Sequence, residues 1–147
     1  MATIIFWPAT FSLAASTSAP LPLYGFEEAL VKSKAEGKFT VLYFWTESCP
    51  YCQHFTRQVL TDQQVIDDLN RNFHVVSIDS NRERTLSRRY RVSAVPWLIF
   101  LEPGGDPATV LPGGPSAPFF RLFLGYVSTG SYRTMEFDGF VKQIRNN

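Results

Sequence analysis

The chain is poor in cysteine, in histidine and in net charge. Two cysteines in 147 residues exclude a disulfide-scaffolded mini-protein, which needs several bridges in place of a core. The two histidines, His54 and His74, form no finger-type zinc spacing with those cysteines, so no metal is expected. Fourteen Lys and Arg against thirteen Asp and Glu leave a net charge of +1. That balance removes the basic excess expected of a nucleic-acid binder. No apolar run approaches the roughly 20 residues that a membrane-spanning helix requires, and there is no internal repeat. What is present is 45% hydrophobic and 18% charged, a composition that buries a full core in one domain rather than two.

Residues 1–23 read as an N-terminal arm and residues 24–147 as the domain. Ile4-Ile5-Phe6-Trp7, the apolar continuation to Ala15 and the small residues Ser16 to Ala19 partly resemble a secretory signal. No Lys or Arg precedes the apolar part, and Pro20 and Pro22 crowd the cleavage region, which favours a docked arm. Beyond it, Phe26, Ala29 and Leu30 have helical spacing, and Gly37 is a natural stop. Phe39 to Trp45 reads as a buried strand. Tyr51 to Leu60 reads as a helix, followed by another with Thr61 or Asp62 as its cap and Val65, Ile66 and Leu69 on one face. A strand is expected at Phe73 to Asp79, a short polar helix at Thr85 to Tyr90 and a strand at Pro96 to Leu101. Pro103 to Pro118, rich in Pro and Gly, reads as a loop. Phe120 to Tyr126 reads as the last strand, and Met135 to Ile144 as a closing amphipathic helix. This alternation implies an α/β architecture: a mixed sheet, partly parallel and ending in a hairpin, with helices on both faces.

The two cysteines sit where the first strand gives way to a helix, in Cys49-Pro50-Tyr51-Cys52. A helix N-terminus offers unpaired N–H groups and a positive dipole end, both of which favour a thiolate at Cys49. Pro50 suits the first helical position, since it has no N–H to leave unpaired. Cys52 then lies beneath Cys49 on the same face, within reach of a small disulfide ring. A purely structural bridge is disfavoured because so short a loop removes little chain entropy. Cys49 is therefore expected to attack a substrate disulfide, and Cys52 to resolve the mixed disulfide.

Phe44-Trp45-Thr46-Glu47-Ser48-Cys49-Pro50-Tyr51-Cys52, followed by Val95-Pro96 and then by Gly125-Tyr126, resembles the thioredoxin-fold oxidoreductases over about residues 24–147. The tetrapeptide is typical of glutaredoxins. The residues before it, the extra helix near Gln63 to Asn70 and Val76 to Asp79 look more like the thioredoxin-related proteins of the bacterial periplasm. The resemblance implies a thioredoxin fold, no cofactor and a cis bond before Pro96. It also implies an extended substrate segment received on the backbone of Val95 by strand addition. Trp45 and Trp97 are expected to flank the site, and Pro50, Tyr51, Val95, Pro96, Trp45 and Trp97 to bind substrate.

The chain departs from the family pattern at one point. The buried carboxylate expected six residues before the first cysteine is Tyr43, and the accompanying lysine position is assigned to Val75. Water, Glu47 or Tyr43 is left to accept the Cys52 proton.

The expected activity is thiol–disulfide exchange with protein disulfides and dithiols and with a redox partner protein. It would be carried out by a monomer in the periplasm, or alternatively in the cytoplasm. The rivals are glutathione-dependent exchange, with Pro103-Gly104-Gly105-Asp106 as an echo of a glutathione element, and a binding or chaperone module. The five arginines between Arg82 and Arg91 read as a solvated face or as a docking patch for an acidic partner.

Overall fold

A computed structural model describes residues 20–146; most of the arm expected at 1–23 lies outside the described residues. Helix α1 (Phe26–Glu36) ends at Gly37, whose φ of 67° is left-handed and closes the helix onto Ser33. Strand β1 (Phe39–Trp45) is followed by α2 (Pro50–His54), which runs without a break into a π-helical turn (Phe55–Val59). Asp62 caps α3 (Gln63–Asn72) by accepting from the amides of Gln64 and Val65. Strand β2 (Phe73–Asp79), α4 (Arg84–Arg89) and β3 (Trp97–Leu101) come next.

The next two assignments differ from the sequence expectation. Within the segment read as a 103–118 loop lies strand β4 (Pro107–Pro112), antiparallel to β3 with a register shift between Phe100 and Leu101. It is an edge strand in the order β2-β1-β3-β4, a place in a sheet where proline is tolerated. The segment read as a last strand, Phe120 to Tyr126, is instead helical. It belongs to α5 (Ala117–Ser128), with Pro118 in its first turn. Phe120, Phe123, Leu124 and Val127 are buried at i, i+3, i+4 and i+7, a helical stripe rather than a strand alternation. A 3-10 turn (Ser131–Arg133) leads to α6 (Phe137–Arg145).

β1 pairs in parallel with β2 and antiparallel with β3, so the sheet is mixed. Its alternating side chains feed two cores. Val41, Tyr43, Val75, Leu98 and Phe100 pack with Phe55, Leu69, Phe120 and Phe123 on the face covered by α2, α3 and α5. Leu42, Phe44, Val76, Ile78 and Ile99 pack with Ala29 on the face covered by α1, with Leu86 and Tyr90 alongside. Leu23, counted with the arm, makes a parallel bridge to Val75 on the outer edge of β2, and the Tyr24 amide donates to the Val75 carbonyl at 3.0 Å.

Candidate active site

The cysteines stand at the end of β1, where the strand passes through Thr46–Ser48 into α2. The Cys49 amide donates to the Thr46 carbonyl at 3.2 Å, and this turns the chain. Cys49 is the N-cap of α2, in extended backbone conformation, and Pro50 follows in the first turn. Cys49 and Cys52 are joined in a disulfide with Cα atoms 5.2 Å apart. The Cys52 amide donates to Cys49 Sγ at 3.1 Å. One of the free amides of the helix start is thus already directed at the first sulfur. The two sulfurs differ in access: Cys49 is half-buried, whereas Cys52 is 1% exposed. Tyr51, between them, is 76% exposed and projects into solvent.

The Val95–Pro96 peptide bond is cis, and Pro96 is buried. The Val95 carbonyl oxygen lies 3.8 Å from Cys49 Sγ, so the backbone before Pro96 forms the wall facing the first cysteine. The Val95 side chain turns to the core on the α1 side, as does that of Trp97. Trp97, expected to flank the cysteines, directly follows Pro96 and pairs with Phe44, and both pack on the face opposite Tyr43. Trp45 is on the cysteine side, its indole N–H donating to Ser77 Oγ at 2.8 Å.

Two glycines missed from the sequence complete the wall. The Gly113 amide donates to the Pro96 carbonyl at 2.9 Å, with Gly113 at a φ of 85°. At Gly114 a Cβ would stand 3.2 Å from Phe55 Cβ, 3.3 Å from the Tyr51 carbonyl oxygen and 3.4 Å from Pro96 Cγ. Their signal was Gly-Gly-Pro directly before a helix cap. Gly125-Tyr126, part of the family resemblance, lies inside α5, where Gly125 faces the Phe140 ring. The Pro103–Asp106 echo is a tight turn closed by the Gly105 amide on the Glu102 carbonyl. Because Leu101 pairs with Thr40 near the start of β1, that turn sits at the end of the sheet away from the cysteines.

Behind Cys52 opens a largely apolar cleft of about 400 Å³, lined by Tyr43, Trp45, Glu47, Cys52, Thr56 and Arg57 among others. Tyr43 is 2% exposed. Its hydroxyl donates to the Cys52 carbonyl at 3.0 Å and lies 3.1 Å from Thr56 Oγ1. Burial pushes its phenol pKa up, against a smaller lowering by Thr56, so Tyr43 is a neutral donor and no substitute for a carboxylate base. In the strand register Ser77 stands across from Tyr43, while Val75 faces Val41. His74 is buried near the opposite end of the sheet, 2.9 Å from a Glu36 carboxylate oxygen.

Compared with known proteins, residues 26–128 match the model of a thioredoxin-like domain family. A 71-residue stretch is 28% identical to human nucleoredoxin, covering 48% of this chain and only 16% of that protein. Among solved structures, a thioredoxin from Thermus thermophilus superposes with a TM-score of 0.68 at 33% identity, covering 74% of this chain and 88% of its own. A DsbH oxidoreductase gives 0.66 at 20% identity over 80% and 88% of the two chains, a likeness of fold. Among the described residues no helix is long and apolar enough to cross a membrane.

Proposed function

This chain is a member of the thioredoxin-like domain family and has its fold, and from that premise we propose that it exchanges disulfides with protein substrates through Cys49 and Cys52. The observation that carries the reading is the asymmetry of the pair. One sulfur is within reach of solvent, accepts a helix-start amide and faces a backbone carbonyl at 3.8 Å; the other is buried. In the reducing direction the Cys49 thiolate attacks a substrate disulfide, forming a mixed disulfide and expelling one substrate thiolate. The Cys52 thiolate then attacks Cys49 Sγ, the second substrate thiolate leaves, and the protein holds the disulfide. Two electrons have moved to the substrate, and the reverse sequence oxidises a substrate dithiol. The amide of Cys52, directed at Cys49 Sγ at the helix start, favours negative charge on that sulfur.

Since Tyr43 is a neutral phenol already donating to the Cys52 carbonyl, water in the cleft, with Glu47 on its lining, accepts the Cys52 proton. The substrate segment lies against Pro50, Tyr51, Trp45 and the backbone of Val95–Pro96, by strand addition. No cofactor takes part in these steps. We place the protein in the periplasm, with the cytoplasm as the alternative, on the resemblance of its active-site segment to the thioredoxin-related proteins of the periplasm.

Trapping tests the chemistry. A Cys52→Ser variant is expected to accumulate a mixed disulfide with a disulfide-bearing protein, and a Cys49→Ser variant to form none. The wild-type pair should titrate as one reversible two-electron couple. No trapped adduct on Cys49, or no reversible couple, would overturn the assignment. Rapid reduction by glutathione alone, with protein substrates ignored, would replace it with glutathione-dependent exchange.

A further inference from the structure

Resting on the exchange reading above, we infer that the arginine-lined trough beside the Val95–Pro96 segment docks acidic side chains flanking the reactive cysteine of a protein substrate. Between Asp79 and Ser93 the chain carries five arginines against the carboxylates of Asp79 and Glu83, although the whole molecule is nearly neutral. The structure sorts these arginines. Arg82 pairs with Asp79 at 3.4 Å, and Arg89 lies over the rings of Phe26 and Tyr90 at 5.4 and 5.6 Å. Arg84, Arg88 and Arg91 have no carboxylate within 4.0 Å among the described residues. These three line one trough of about 420 Å³, together with Ser80, Ser87 and Ser93.

Two further observations describe its wall. The Ser80 hydroxyl in its wall is closed off from solvent and has no hydrogen-bond partner among the described residues; such groups are rare without a purpose. Arg91 holds a φ of 53°, the only non-glycine residue in the left-handed region among those described. That conformation ends α4, with the Val92 amide donating to the Ser87 carbonyl at 2.9 Å, and turns the chain from the helix toward Ser93.

Position decides what the ligand is. Ser93 is two residues from Val95, at most about 7 Å of chain, and the Val95 carbonyl stands 3.8 Å from Cys49 Sγ. The Ser80 amide donates to the Trp45 carbonyl at 2.8 Å, so the trough also adjoins the strand end that carries the cysteines. A peptide received at Val95 would lay its neighbouring residues, spaced about 3.3 Å apart, over these arginines. Guanidinium groups fork onto carboxylates in a planar, bidentate fashion. The trough is open rather than enclosed, which suits side chains on a passing segment better than a small free anion.

The test uses the full chain and short peptides with Ser in place of the central Cys, so that binding is read without exchange. In a titration of ¹⁵N-labelled protein at low salt, a Glu-flanked peptide is expected to shift the amides of Arg84, Arg88 and Ser93, and a Lys-flanked one to leave them unmoved. Arg84→Gln combined with Arg88→Gln should weaken the Glu-flanked peptide about five-fold, the scale of two partly exposed ion pairs. Raising salt should weaken it similarly by screening. Lys142→Gln combined with Arg145→Gln, an equal loss of charge on α6, should leave the preference intact. Equal binding of Glu- and Lys-flanked peptides, or a preference that survives the Arg84/Arg88 variant, would overturn the assignment. So would inorganic phosphate shifting these amides while the Glu-flanked peptide does not, which would make the trough a small-anion site. Cys-centred versions read the chemistry separately: if none exchanges while the Glu-flanked Ser peptide still docks, the exchange reading fails and the trough stands.

Discussion

At Tyr43 the side chain that replaces the expected carboxylate is held by two hydrogen-bonding neighbours in a closed environment. Removing its hydroxyl with Tyr43→Phe leaves the Cys52 carbonyl and Thr56 each short of a partner. Urea unfolding should show a loss of about 1 kcal/mol. The pH dependence of exchange between about pH 6 and 9 should not move, because a phenol whose pKa is raised does not accept the proton. Gly114→Ala should be worse than its size suggests. The new methyl meets a core Cβ, a helix carbonyl and the Pro96 ring at 3.2 to 3.4 Å, so the loop has to shift. About 1–3 kcal/mol of stability is expected to go, with slower mixed-disulfide capture of protein substrates in stopped-flow measurements. The cysteine chemistry was legible because its parts are adjacent in the chain: a strand, two sulfurs and a proline within one turn. Gly114 and Trp97 were not. Gly114 acquires its role only when β4 returns to Pro96, and the side taken by Trp97 depends on its register with Phe44.

For whole elements, burial on both faces made β1 and β2 readable at their bounds, since a continuous apolar β-branched and aromatic run has few alternatives. The run Phe120 to Tyr126 has the aromatic composition of a strand but the spacing of a helix. Its buried positions fall three and four apart, and Ser116 and Pro118 mark a helix start. β4 is masked in the sequence by its own prolines, which an edge position permits. α5 is tied to α3 by Arg121, whose Nε donates to Asp68 Oδ2 at 2.6 Å and whose Nη1 donates to Gln64 Oε1 at 2.8 Å. The hydrogen bond to Asp68 raises the Arg121 pKa. Arg121→Ala should cost about 1 kcal/mol in denaturant unfolding, the partial exposure of the pair keeping the loss modest. A matching loss in Asp68→Ala, with the double variant little worse than either, would show that the two act as one contact.

On the scale of the whole molecule, acid sensitivity follows from Glu102 at the end of β3. Hydrogen bonds from Tyr132 and Arg133 hold its carboxyl below the usual carboxylate range, outweighing a smaller rise from burial. A folded-state pKa that is depressed gives stability that is complete above the ordinary range and lost as pH falls through the folded value. Wild-type protein should therefore lose more thermal stability than Glu102→Gln between about pH 7 and about pH 3, and the gap between them should narrow in acid. The sheet edges carry a different consequence. Prolines bound β4, and the Leu23 bridge with the Tyr24 amide occupies the middle of the β2 edge. Neither margin offers a second copy an unbroken row of backbone groups, so the protein resists fibril-type growth by edge-to-edge stacking.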